Sequence, residues 1–252
     1  MDEQLQADLR LATSSAETEL RLHNRSIEAW WHSMGHVGQV IDEVKMLREY
    51  VKRPGVSTVC EVGFNAGHSA IALLSGQQTK LIEFDKQDLP YSRANRALIE
   101  RLYPGRTTFH PGRSTHTLPA YVSMFNSTRP MCDLWFIDGR HNAGVPRQDL
   151  DNALKVSRKG AIIIMDDCTG RFPDVPKAYW AFVDRGTLTH RAHRSYTLPP
   201  PAGRKGWCIG ESQGVVHHMM AAEAAKAAPS AGQPVAATQT HAEDRKQSFA
   251  QA

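Results

Sequence analysis

The spacing of apolar residues changes character along the chain. From Ile27 to Val51, residues Trp30, Met34, Val37, Val40, Ile41, Val44, Met46, Leu47 and Tyr50 recur at helical intervals. This spacing predicts a helix running into "KRPG". Ahead of it, residues 2–24 are polar, with Leu5, Leu9, Leu20 and Leu22 loosely spaced, and predict a weak helix that covers a cleft. Beyond residue 55 the pattern alternates. Strand-like runs stand at 56–62 ("VSTVCEV"), 80–85 ("KLIEFD"), 106–112 ("RTTFHPG"), 132–138 ("CDLWFID") and 160–167 ("GAIIIMDD"). Helical stretches separate them: "GHSAIALLSG", "YSRANRALIERLY", "THTLPAYVSMF", "PRQDLDNALKV" and "PKAYWAFVDR". "TLTHRAHRSYTL" and "GWCIGE" then read as two strands with no helix between, joined by the Pro-rich "LPPPAGRKG" as an antiparallel hairpin.

Strands alternating with helices predict an α/β fold, a doubly wound sheet with helices on both faces. Runs such as "AIIIM" suit strands buried on both sides. Five βα units and the hairpin make seven strands, mostly parallel with the last antiparallel. In such sheets ligands bind beyond the carboxyl ends of the strands. The chemistry is therefore expected at Glu61, Asp85, Asp138 and Asp166, each of which ends a strand. The expected organisation is an N-terminal extension over residues 1–25, one domain over 26–214 and a disordered tail over 215–252. That tail is rich in Ala, Gln, Ser and Thr, and His217 and His218 within it read as solvated.

Composition narrows the partners. The net charge of +4 is mild and the Lys and Arg residues are not densely clustered, so no nucleic-acid partner is expected. Arg93, Arg96, Arg101 and Arg106 lie on or beside one helix and read as a solvated face, with an acidic substrate as the alternative. No apolar run has the length that spans a bilayer, and "MDEQLQADLR" has no secretory h-region, so no membrane partner and a cytoplasmic location are expected. The four cysteines form no CxxC pair and read as buried thiols in a reducing compartment rather than as a disulfide frame. A homo-oligomer is left open.

The turn "EVGFNAGHSA" at 61–70 carries the most specific chemistry. Gly63 and Gly67 permit positive φ and let a ligand approach bare backbone. Asn65, between them, tolerates left-handed backbone better than most residues. The spacing is GxxxG rather than the GxGxxG of dinucleotide enzymes. Asp85 lies about 20 residues further on, where a carboxylate can accept both hydroxyls of a ribose. Its alternative role is to cap the "DKQDLP" turn.

With "VCEVGFNAGHSA", "IEFD", "LWFIDGRHNAGVPRQDLDNAL" and "GAIIIMDD" in this order, the chain resembles the class I S-adenosylmethionine-dependent methyltransferases. It is most similar to their small-molecule O-methyltransferase-like branch, with its "IDG.H" motif, over roughly residues 56–211. The resemblance implies a Rossmann-like fold and S-adenosylmethionine as cofactor. Glu61, Gly63, Asn65 and Gly67 would line its methionine end, Asp85 would hold the ribose, Asp138 would meet the ammonium group, and Gly112, Arg113 and Ser114 would face the adenine. Arg113 stands where relatives commonly carry an acid. The implied reaction is O-methylation of a hydroxylated small molecule. The alternatives are a catalytically silent cofactor-binding or scaffold module and a protein methyltransferase. "IDGRH" at the fourth strand end is not the amine-methylating (N/D)PP(Y/F) motif.

Asp138, Asp166 and Asp167 end the fourth and fifth strands. Crowded carboxylates repel unless a cation neutralises them, and oxygen ligands suit Mg²⁺, with Mn²⁺ and Ca²⁺ as competitors. Such an ion would polarise and orient a substrate hydroxyl. The bland alternative is that these aspartates cap turns. His141, three residues after Asp138, is the candidate general base. His36, His68 and His116 are weaker candidates near the cleft, and Trp30, Trp31 and Met34 form a candidate lid.

Overall fold

The computed structural model describes residues 2–28, 40–124, 131–197 and 204–214. The lid residues Trp30, Trp31 and Met34, His36, and the tail from Val215 lie outside the described residues. The chain forms two compact units, residues 1–139 and 140–252.

The first unit opens with α1 (Glu3–Leu22), whose N-cap Asp2 accepts a hydrogen bond from the Leu5 amide. Leu5, Leu9, Ala12, Ala16 and Leu20 are its buried stripe, whereas Leu22 is 70% exposed. Two alanines complete the apolar face that the leucine spacing alone left ragged. Next come α2 (Ile41–Val51), β1 (Thr58–Val62), α3 (His68–Leu74), β2 (Lys80–Asp85), α4 (Ser92–Leu102), β3 (Thr107–Pro111), α5 (Ser114–Ser123) and β4 (Cys132–Ile137). The strands stand in the order β3-β2-β1-β4, all parallel. β1 and β4 are buried along their whole length, the acids Glu61 and Asp133 included. Phe84, Tyr121 and Trp135 form an aromatic group in this core.

Asp133 fixes where β4 starts against β1. Its carboxylate accepts from the Ser57 and Thr58 amides and the Ser57 hydroxyl. Arg106 donates to the carbonyls of Leu74, Gly76 and Thr79, where α3 runs out of intrahelical donors. That removes Arg106 from any acidic-substrate patch. Arg93 and Arg101 are exposed, and Arg96 pairs with Glu100 over the Phe109 ring. The solvated-face reading holds for this helix.

The second unit holds α6 (Val145–Lys155), β5 (Ser157–Met165), α7 (Asp174–Asp184), β6 (Leu188–Thr197) and β7 (Arg204–Ser212). β7 lies between β5 and β6 and is antiparallel to both. Seven strands thus share one sheet, in the order β3-β2-β1-β4-β5-β7-β6. The hairpin and the antiparallel last strand match expectation.

The cysteines do not. Cys60 is bonded to Cys132 in the first unit and Cys168 to Cys208 in the second. Spacing along the chain concealed both pairings. Cys60 and Cys132 lie on neighbouring strands, and Cys168 follows β5 closely enough to meet β7. Among the described residues no helix is long and apolar enough to cross a membrane.

Candidate functional site

The glycine turn begins where β1 ends. Gly63 has φ of +103°, and a Cβ there would lie 2.2 Å from the Asp138 carbonyl oxygen. The turn therefore sits directly on the backbone that leaves β4. Asn65 has φ of +48°, the left-handed conformation expected of it. Gly67, at +78°, is the N-cap of α3. The Asn65 side-chain oxygen accepts from the Tyr91 hydroxyl, and Asn95 donates to the Ala66 and Ala12 carbonyls. Ala66, Tyr91, Ala16 and Leu20 pack together. α1 is thus built into the wall behind the turn, and α4 holds the turn through Tyr91 and Asn95. Neither residue was identified from the sequence, because their partners are 26 and 29 residues away.

Asp85, the last residue of β2, is committed twice. One oxygen accepts from the Phe64 amide at 3.0 Å and the other from the Gln87 amide at 2.6 Å. It does cap the turn after β2, and it also ties that turn to the glycine loop. Each carboxylate oxygen has a second lone pair, so acceptor capacity remains. Asp85→Ala is expected to lower stability by about 3 kcal/mol, because two backbone N–H groups lose a charged acceptor. Chemical denaturation measures this. A loss below about 1 kcal/mol would mean that these bonds do not hold the loop.

Glu61 and Glu83 are Cα partners across β1 and β2 and are both fully buried. Burial raises the Glu61 carboxyl to about 7, with further repulsion from Asp138 and Asp85. Glu83 is raised well above its ordinary value, by burial first and by Glu61 next. In the sequence Glu83 is inconspicuous, an acid inside a strand two residues before the strand-end Asp85. A folded chain that holds this proton more tightly than the unfolded chain is favoured at low pH. That stability is complete below the ordinary value of 4.5 and fades as pH climbs to about 7. The loss is expected to total about 3 kcal/mol, visible as a falling thermal midpoint from pH 5 to pH 7. Glu83→Gln should flatten the profile, and an unchanged slope would assign the effect elsewhere.

Ser114 opens α5 and is half-buried, whereas Arg113 beside it is exposed. The Gly112 amide donates to the Asp85 carbonyl, which fixes this loop beside the end of β2. His68 is buried in the first turn of α3, with Nε2 2.8 Å from the Thr13 hydroxyl. His116 is exposed on α5. Asp138 follows β4, and its amide donates to the Val62 carbonyl.

In the second unit, His141 Nε2 lies 3.2 Å from Asp167 Oδ2, and the imidazole ring leans on Phe172. Asp167 adopts φ of +52°. Asp166 is fully buried, with its carboxylate 2.5 Å from the Lys205 ammonium. The expected trio of aspartates is therefore divided. Asp166 is neutralised by a lysine, and Asp167 turns to a histidine. The turn after β5 explains this, because left-handed backbone at Asp167 sends its side chain away from that of Asp166. The Cys168–Cys208 bond, the hydrogen bond from the Cys168 amide to the Gly206 carbonyl and the approach of His193 to the Cys168 carbonyl brace this loop.

Residues 60–168 match the family model described as a methyltransferase domain. This segment is similar to a methyltransferase domain. Among solved structures, the domain's fold is shared with the O-methyltransferase TomG from Streptomyces achromogenes, solved with S-adenosylmethionine. The TM-score is 0.62 at 17% identity, over 85% of this chain and 91% of that one. The O-methyltransferase from Bacillus cereus, solved with S-adenosylhomocysteine, matches with a TM-score of 0.60 at 17% identity, over 79% and 90% of the chains. A putative O-methyltransferase from Klebsiella pneumoniae matches with a TM-score of 0.61 at 17% identity, over 84% and 91%. Among curated proteins, none matches this chain. The matched segment runs from Cys60, beside the glycine turn, to Cys168, beside Asp167, and so contains the candidate cofactor-binding and metal residues and His141.

Proposed function

We propose that the protein transfers the methyl group of S-adenosylmethionine to a hydroxyl oxygen of a small molecule. The observation that carries the reading is the Gly63 turn, which packs at the end of β1 on the backbone leaving β4, with Glu61, Asp85 and Asp138 around it in a segment similar to a methyltransferase domain. A cationic cofactor suits that anionic ring, and the space a Cβ would fill at Gly63 belongs to backbone alone. Gly63, Asn65 and Gly67 would bind the methionine end and Asp138 its ammonium group. Asp85 would offer its remaining lone pairs to the ribose. Ser114 and the first amides of α5 would serve the adenine, since an exposed arginine replaces the expected acid there.

The cofactor supplies a methyl group on a positively charged sulfur, so the protein need only align the acceptor and manage one proton. His141 would take that proton. Asp167, hydrogen-bonded to its imidazole, would orient the ring and stabilise the imidazolium. His141 with Asp167 also forms a donor pair that would take a divalent ion such as Mg²⁺. Bound there, the ion would act as a Lewis acid on the acceptor oxygen. Lys205 takes Asp166 out of that donor set. Two disulfides weigh against the reducing, cytoplasmic compartment that scattered cysteines suggested.

Labelled cofactor and a pool of hydroxylated metabolites test the reading, with and without Mg²⁺. Label should pass to a neutral or phenolic product, and His141→Ala should lower kcat about a hundredfold. Activity abolished by chelation and restored by Mg²⁺ assigns the His141–Asp167 pair to the metal. Activity indifferent to chelation assigns His141 to the proton. Absence of both binding and transfer removes the reading.

A further inference from the structure

Glu83 is buried and has no task in the mechanism just described, and it stands opposite Glu61 of the acidic ring. Glu61 and Glu83 face each other on one side of the sheet, because Cα partners in a parallel pair point the same way. Both are fully buried, and among the described residues neither is paired with a lysine, arginine or histidine. Among the described residues none of their four carboxylate oxygens has a hydrogen-bond partner, and the Ser69 hydroxyl and the Phe84 amide are the polar groups nearest them. Asp85 and Asp138 add negative charge on the same side. His68, the other titratable group on α3, is engaged with Thr13. Two carboxylates this close in a dry pocket cannot both stay ionised without a cation.

We infer that Glu61 and Glu83 hold one proton between them in the free protein and release it to solvent when a sulfonium enters, so that the site tells the charged cofactor from its neutral thioether product. The inference rests on the cofactor reading above. The pair passes from one negative charge to two as a positive charge arrives. The ammonium group is common to both nucleosides, so its effect cancels in their comparison. The difference lies at sulfur alone. An enzyme so built prefers its cofactor over its product more strongly as pH rises, and Glu83 becomes a specificity-determining residue.

Isothermal titration of the full chain with S-adenosylmethionine and with S-adenosylhomocysteine, in buffers of differing ionisation enthalpy, counts the protons released. S-adenosylmethionine should release close to one proton near neutral pH, and its Kd should fall by up to about tenfold per pH unit. S-adenosylhomocysteine should release less than half as much, so the ratio of the two Kd values should widen with pH. In Glu83→Gln the amide donates to Glu61 and there is no shared proton to lose. Release should then be equal for the two ligands, and the ratio should be flat with pH. Equal release by both ligands in the wild-type chain overturns the inference, and that comparison decides even where the variant fails to fold. A Glu83→Gln chain that keeps the wild-type ratio overturns it as well. Heat from neither nucleoside at any pH refutes the cofactor reading itself and carries this inference down with it.

Discussion

Gly63→Ala is expected to destabilise the protein by about 4 kcal/mol, a large share of what holds a typical domain together. The added Cβ would lie 2.2 Å from the Asp138 carbonyl oxygen and 2.8 Å from its carbon. Both are backbone atoms, so no side-chain rotation relieves the overlap. A φ of +103° adds its own cost for any residue with a Cβ. Gly105→Ala is the control. Its φ is +70°, but nothing lies within 4 Å of the added carbon, so only the conformational cost of about 1 kcal/mol remains. Urea midpoints for the two variants separate steric overlap from conformation. Equal losses would show that the turn does not rest on the chain leaving β4.

Reduction of the two disulfides is expected to be the other large effect. The bonds close loops of 72 and 40 residues, Cys60 to Cys132 and Cys168 to Cys208. Loop-closure entropy assigns each about 4 kcal/mol, acting through the unfolded chain. The guanidinium midpoint should fall sharply under a phosphine reductant, and replacing each cysteine pair with alanines should reproduce much of that fall. All four cysteines are buried, so reduction should be slow in the native state and fast once the chain unfolds. An unmoved midpoint with four titratable thiols would restore the reading made from sequence spacing.

The cysteines show why spacing along the chain is a poor guide to bonds across it. A CxxC pair is legible because its members are neighbours in sequence. Cys60 and Cys132 become neighbours only when β4 docks beside β1. Glu83 was hidden for the same reason. It sits in "LIEFD" as one acid of two, and only the register opposite Glu61 makes it unusual. Asp166 and Asp167 were read together because they are adjacent in sequence, yet Lys205 of β7 claims the first and His141 the second.

The sequence by itself determined the alternation of strands and helices, the closing hairpin, the left-handed Asn65 and the acids at the strand ends. These follow from period, glycine placement and backbone sterics, which act within a few residues. Tertiary structure alone decided strand order, the two disulfides, the burial of Glu61 against Glu83 and the division of the aspartates. Each of these depends on which strand lies beside which, and that is set by burial of the whole core rather than by any local stretch.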